Sequence, residues 1–117
     1  MCRCKQGVRK QVYLNVACLL IVTGTAVTAM SDAEHLVSQK GRQFQPGAIS
    51  LHPGEHVTIV NDDGDLIHHA YIDAPDLTYD SGDQEPGGKA VITFPKDGDF
   101  LVLCGIHPKM KLAVHVQ

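Results

Sequence analysis

Past residue 30 the sequence holds a single cysteine, Cys104. If the first thirty residues are removed, a disulfide within one chain is impossible. An unpaired thiol in an exported protein then marks a reactive group or a metal ligand. Basic residues are equally scarce there: six lysines and arginines face thirteen acids, a formal charge near −7 with histidine neutral. That balance excludes nucleic acid and an anionic membrane surface as partners, because both attract positive charge. No segment after residue 30 has the i, i+3, i+4, i+7 spacing of an amphipathic helix, which argues against a helical bundle. There is no repeat and no low-complexity segment. No nucleophile stands with a free base, so no catalytic residues are assigned and the chain does not read as an enzyme.

The 117 residues fit one domain. Residues 1–30 have the layout of a secretory signal peptide. Arg3, Lys5, Arg9 and Lys10 form a basic start, Val12 to Val27 is largely apolar, and Val27-Thr28-Ala29 offers small residues for cleavage. An uncleaved anchor is the alternative, since the apolar run approaches spanning length. Cys18 lies mid-run and does not suit lipid attachment. Residues 31–117 are then the folded domain, periplasmic or otherwise exported and free of the membrane once the signal is cleaved. Its core is small enough to be marginal, and a bound metal would add stability.

What fills residues 31–117 is short strands. His35–Gln39, Ala48–Leu51, Glu55–Val60, Leu66–Ile72, Lys89–Phe94, Asp99–Cys104 and Lys111–Gln117 follow one another between Pro and Gly turns. Several alternate with period two: Val57 and Ile59, then Ala90, Ile92 and Phe94, then Phe100, Val102 and Cys104, then Leu112, Val114 and Val116. Such spacing spells an all-β sandwich. The polar segment 73–88 reads as a surface loop, with at most a short strand near Leu77–Tyr79.

One short loop carries the chemistry. Cys104-Gly-Ile-His107-Pro-Lys-Met110 places a thiol, an imidazole and a thioether at the spacing C-x2-H-x2-M between two strands. Each residue alone is ordinary, since a cysteine or methionine usually fills core space. Together, soft sulfur donors and borderline imidazole suit copper, which needs ligands for both of its oxidation states. Two imidazoles and a thiolate with a weak axial methionine make a blue-copper electron-transfer site. The second imidazole must come from His68-His69. Side chains alternate along a strand, and His68 shares its face with Ala70 and Ile72, the apolar side. His68 is therefore the favoured ligand and His69 the alternative. The metal set is His68, Cys104, His107 and Met110, holding one copper. His35, His52, His56 and His115 fall on turns or outward positions.

These residues resemble the cupredoxins of the plastocyanin and amicyanin type. The loop from Cys104 to Met110 is similar to the short amicyanin loop. Asn61, followed by a loop and then His68-His69-Ala70-Tyr71, resembles the family's Asn…His-Asn-Val-aromatic segment, which sets His68 on a copper-ligand position. Ser38 to Pro46 and Tyr79 to Gly87 are similar to a methylamine-utilisation-like subgroup. The resemblance covers residues 35–117 and implies a Greek-key β-sandwich of about eight strands. It also implies a one-electron carrier outside the cytoplasm, and a monomer is expected. Two positions depart from the pattern. His69 stands where the family has an asparagine that bonds near the cysteine loop, and Phe100 stands where a tyrosine is usual.

The expected partner is a transient protein redox partner, a cytochrome or an oxidoreductase. Ile106, Pro108, Ile67 and Pro75 are candidates for an apolar rim around His107. The acids Asp62, Asp63, Asp65, Asp73, Asp76, Asp80 and Asp83 could steer a basic partner, or simply be solvated. The rival readings are a copper carrier or store without redox turnover, and a zinc-loaded structural module, since Cys and His also suit zinc.

Overall fold

The computed structural model describes residues 34–117, together with Gly24 and Ala26. The expected signal over residues 1–30 otherwise lies outside the described residues. Nine strands follow in order: β1 His35–Lys40, β2 Gln43–Gln45, β3 Ala48–Leu51, β4 His56–Asn61, β5 His68–Ala74, β6 Leu77–Gln84, β7 Lys89–Thr93, β8 Gly98–Leu103 and β9 Lys111–Val116. There is no helix among the described residues, and therefore none long and apolar enough to cross a membrane.

The strands form two sheets, β2-β1-β4-β7 and β3-β9-β8-β5-β6. β1 pairs with β4, and β3 with β9, in parallel; the remaining pairs are antiparallel. The chain changes sheet repeatedly, so sequence neighbours such as β4 and β5 lie in different sheets. This is the expected all-β sandwich. The alternation read from sequence sets its interior. Ile92 and Phe94 from one side meet Val102, Leu112 and Val114 from the other, all at most 2% exposed. Burying side chains of this size contributes about 1.5–3 kcal/mol each. Phe100 packs against Phe94 with ring centroids 5.5 Å apart, so ring contact replaces the hydroxyl a tyrosine would bring.

Three expectations change. The segment expected as loop is largely β6, eight residues long, paired to β5 along its length. It is the edge of its sheet, and polar composition such as Asp80-Ser-Gly-Asp83 is what an exposed edge tolerates. β5 begins at His68, so Leu66 and Ile67 belong to the preceding loop. Pro75 lies in the β5–β6 turn, at the far end of β5 from His68. Seven residues of strand separate them, roughly 23 Å at 3.3 Å per residue, so Pro75 has no place on a rim around His107.

The β1–β2 hairpin bears on the site. Lys40 pairs with Gln43, leaving the two-residue turn Gly41-Arg42. Both have positive φ, 61° and 57°, the signature of a type I′ turn whose twist matches its strands. Glycine adopts that conformation freely; an arginine rarely does.

Candidate metal centre

β5 starts with its first residue aimed inward. His68 is 0% exposed, on the same face as Ala70 and Ile72. A buried imidazole requires partners for both ring nitrogens. Nε2 lies 2.6 Å from Asp63 Oδ2, and Nδ1 lies 3.1 Å from His107 Nδ1. Asp63 in turn accepts the Gly41 amide at 3.0 Å and donates its own amide to Asn61 Oδ1 at 3.0 Å. The Gly41 amide, and then the His68 ring, hold the Asp63 carboxyl below its ordinary value of 3.8. It is therefore ionised and only accepts. Nε2 must carry the proton, and in the neutral ring Nδ1 is left as a bare lone pair aimed at Cys104 and His107. A carboxylate fixing a histidine in this way is how metal sites orient a ligand.

β8 delivers the thiol. Cys104 follows Leu103 directly and is 2% exposed. The chain then turns back on itself: the His107 amide donates to Cys104 Sγ at 3.4 Å, and the Met110 amide donates to His107 O at 3.0 Å. β9 begins at Lys111, so strands clamp both ends of the loop. His107 Nδ1 stands 3.8 Å from Cys104 Sγ. Met110 is 1% exposed where the loop rejoins the sandwich. Burial first, then the neighbouring His68 and Arg42, keep the His107 ring below its ordinary value of 6.5. A neutral ring is the form that can ligate.

One nitrogen each from His68 and His107 and the sulfur of Cys104 thus lie within 4.8 Å of one another, the one such group among the described residues. Donors each about 2.0–2.3 Å from one ion stand roughly 3–4 Å apart, so the arrangement fits a single metal. Thiolate with two imidazoles suits copper or zinc. His69 points the other way. Its Nε2 lies 2.7 Å from Asp80 and its Nδ1 3.4 Å from Asp83. Its ring packs on Gly105, where a Cβ would stand 3.4 Å from the imidazole. Contact with the loop replaces the asparagine hydrogen bond of the resembling family. His35, His52 and His115 are occupied elsewhere, by Glu55, the Gln117 carbonyl and Asp99 respectively.

Asp63 is the residue the sequence reading missed as part of the site. No local signal singles it out: the Asn61 side chain takes the Asp63 amide in an Asx turn, which shapes the loop without marking the acid.

Among solved structures, an amicyanin variant in its Cu(I) form is 17% identical, with a TM-score of 0.66 over 72% of this chain and 82% of that one. A reduced amicyanin variant is 19% identical, with a TM-score of 0.67 over 74% and 84%. The chain has the cupredoxin fold. The Cu-containing nitrite reductase (NirK) from Thermus scotoductus SA-01 shares that fold at 28% identity and a TM-score of 0.65. The match covers 73% of this chain but only 22% of the reductase, so this cupredoxin sandwich corresponds to about a fifth of it. Neither a protein-family model nor a curated protein matches the sequence.

Proposed function

We propose that the chain is a type 1 copper electron-transfer protein. His68 Nδ1, Cys104 Sγ and His107 Nδ1 would hold one copper, with the Met110 thioether as a weaker fourth donor. The observation that carries the reading is the convergence of the three donors at one end of a cupredoxin sandwich. Copper, when bound, supplies a reversible one-electron couple.

The protein supplies rigidity and access. Asp63 locks the His68 ring, and the His107 amide holds the sulfur of Cys104. Donors fixed this way keep their places whatever the charge at the centre, which keeps rearrangement small when an electron passes. The His107 ring turns Nδ1 inward, while its residue also lines a surface cavity with Arg42, Gln43, Pro108 and Lys109. That ring is the path between the buried centre and a docked protein. Ile106 and Ile67, 43% and 38% exposed, and the exposed Pro108 are apolar residues available at that end. A transient redox partner, a cytochrome or oxidoreductase met outside the cytoplasm, needs only a small interface. Residues 1–30 direct export in this reading.

The reading is a carrier rather than an enzyme: with Met110 added to the three converging donors, no position would be left for a substrate. The activity of the nitrite reductase is not carried over.

Voltammetry of the copper-loaded domain is the test. A reversible one-electron wave that survives repeated cycling is expected. Bound copper without such a wave would make the chain a carrier or store, and a colourless zinc-bound product would overturn the proposal.

A further inference from the structure

The chain is acidic, yet the surface next to His107 is not. Of the six lysines and arginines after residue 30, three line two adjoining surface cavities. Arg42 and Lys109 stand with Gln43, His107 and Pro108 around one, of about 420 Å³. Arg42 and Lys109 recur with Lys111 around the other, of about 430 Å³, which reaches Met110. All three cations are exposed. No acid lines either cavity. Asp73 and Asp76 lie at the far hairpin. Asp62 and Asp65 are exposed in the β4–β5 loop, Asp62 accepting from Ser38, and Asp63, which takes the Gly41 amide behind the turn and the His68 ring, has a side chain only 12% exposed. Asp80 and Asp83 stand on the opposite flank of the loop, beside His69 and Gly105. The rim is thus split: basic on the Arg42–Lys109 side, acidic on the Gly105 side.

Arg42 adds a second observation. It occupies the left-handed position of a tight turn, φ 57°, where glycine or asparagine fits without strain. A side chain kept in such a conformation points to a role for that side chain. The turn is also anchored, through the Gly41 amide and Asp63, to the ligand His68.

We propose that this basic half-rim is the docking surface for an acidic protein partner, whose carboxylates pair with Arg42 and Lys109 and seat the partner over the His107 ring. The inference rests on the carrier reading for its purpose but not for its test. Net charge alone favours a cationic partner; the local field at the point of electron exit favours an anionic one. Opposed charges on the two flanks also fix the partner's orientation, since complementary potentials set register and on-rate.

The test uses the copper-free domain labelled with 15N, titrated at low salt with hexaglutamate and, separately, with hexalysine. Hexaglutamate is expected to move the amide signals of Arg42, Gln43, Lys109 and Lys111, and 0.3 M salt to abolish the shifts, as screening requires. Hexalysine is expected to act near Asp80 and Asp83 instead. Arg42→Gly relieves the turn, so it should stay folded while losing most of the hexaglutamate response. With copper bound, the oxidation of the reduced protein by hexacyanoferrate(III) moves one electron from Cu(I) to Fe(III). The rate should fall as salt rises, and Arg42→Glu with Lys109→Glu should slow it at least fivefold at low salt. Hexaglutamate leaving those amides unmoved, or hexalysine moving them equally, overturns the inference. A chain that binds hexaglutamate there but shows no copper redox chemistry overturns the carrier reading and leaves the surface.

Discussion

The interior between the sheets and the end that holds the donors are buried to the same degree by opposite means. Between the sheets, Ile59, Ile92, Phe94 and Leu112 are at most 1% exposed and belong to one apolar cluster. At the donor end, Gln39, Asn61 and His68 are at most 1% exposed too, but each is tied to a particular polar atom, Gln39 Oε1 being the one buried side-chain N or O left without a partner among the described residues. Asn61 Nδ2 donates to the Leu66 carbonyl at 2.7 Å and the Gln84 carbonyl at 2.8 Å, and Gln39 Nε2 donates to Gln84 Oε1 at 3.0 Å. The first region supplies stability through area and tolerates exchange of one apolar shape for another. The second region spends burial on position, because an unpartnered polar group there is costly. A sandwich can therefore lose its metal chemistry without unfolding, or lose stability without losing its donors.

Substitutions at the two regions should separate these properties, beginning with the most severe. Cys104→Ser removes the soft donor while keeping the size. It is expected to abolish the visible thiolate-to-copper absorption altogether and to weaken copper binding more than a hundredfold, with the unfolding midpoint of the metal-free domain little changed. Absorption spectra and denaturant titration of the same sample check both halves. Phe94→Ala should do the reverse. Loss of a fully buried ring costs about 3–5 kcal/mol, read by urea unfolding, while the copper band of the surviving folded fraction keeps its position.

Asp63→Asn comes next and acts on the boundary between the regions. Loss of the charged acceptor at His68 should cost tenfold to a hundredfold in copper affinity and raise the reduction potential. In the metal-free domain, 15N chemical shifts of the His68 ring should show a mixture of tautomers in place of one. An unchanged tautomer and an unchanged affinity would mean that packing alone orients the ring.

The smallest effect lies on the outer surface, far from either contrast. Asp99 beside His115 holds that ring above its ordinary value of 6.5. A histidine bound more tightly to its proton when folded stabilises the protein at pH below its unfolded value. That contribution disappears as pH rises through the higher folded value. Asp99→Asn should return the His115 NMR titration toward 6.5 and flatten this part of the stability profile, without touching the copper site.

The same contrast explains what could be read in advance. Period-two alternation is a local code, so β7, β8 and β9 and their inward faces were legible from a few residues each. His68 was legible for the same reason, since its neighbours Ala70 and Ile72 mark the buried side. β6 was not, because an edge strand buries little and Asp80-Ser-Gly-Asp83 carries no apolar rhythm. The Gln39–Gln84 pair spans 45 positions of sequence, and no local pattern announces it. Asp63 lay in a stretch rich in acids and glycine that reads as loop. Its role comes from meeting His68 and Gly41 at once, a fact of three-dimensional closure. The clustering of Arg42 with Lys109 and Lys111 has the same origin: the β1–β2 turn and the β8–β9 loop share one end of the sandwich only once it has folded.

Stoichiometric titration of the metal-free domain with Cu(II) tests the central claim most directly. An intense visible band should rise linearly and stop at one copper per chain, and it should be absent from both the Cys104→Ser and His68→Ala variants. A band that persists in the His68→Ala variant, or none in the unaltered protein, would contradict a shared centre formed by His68, Cys104 and His107.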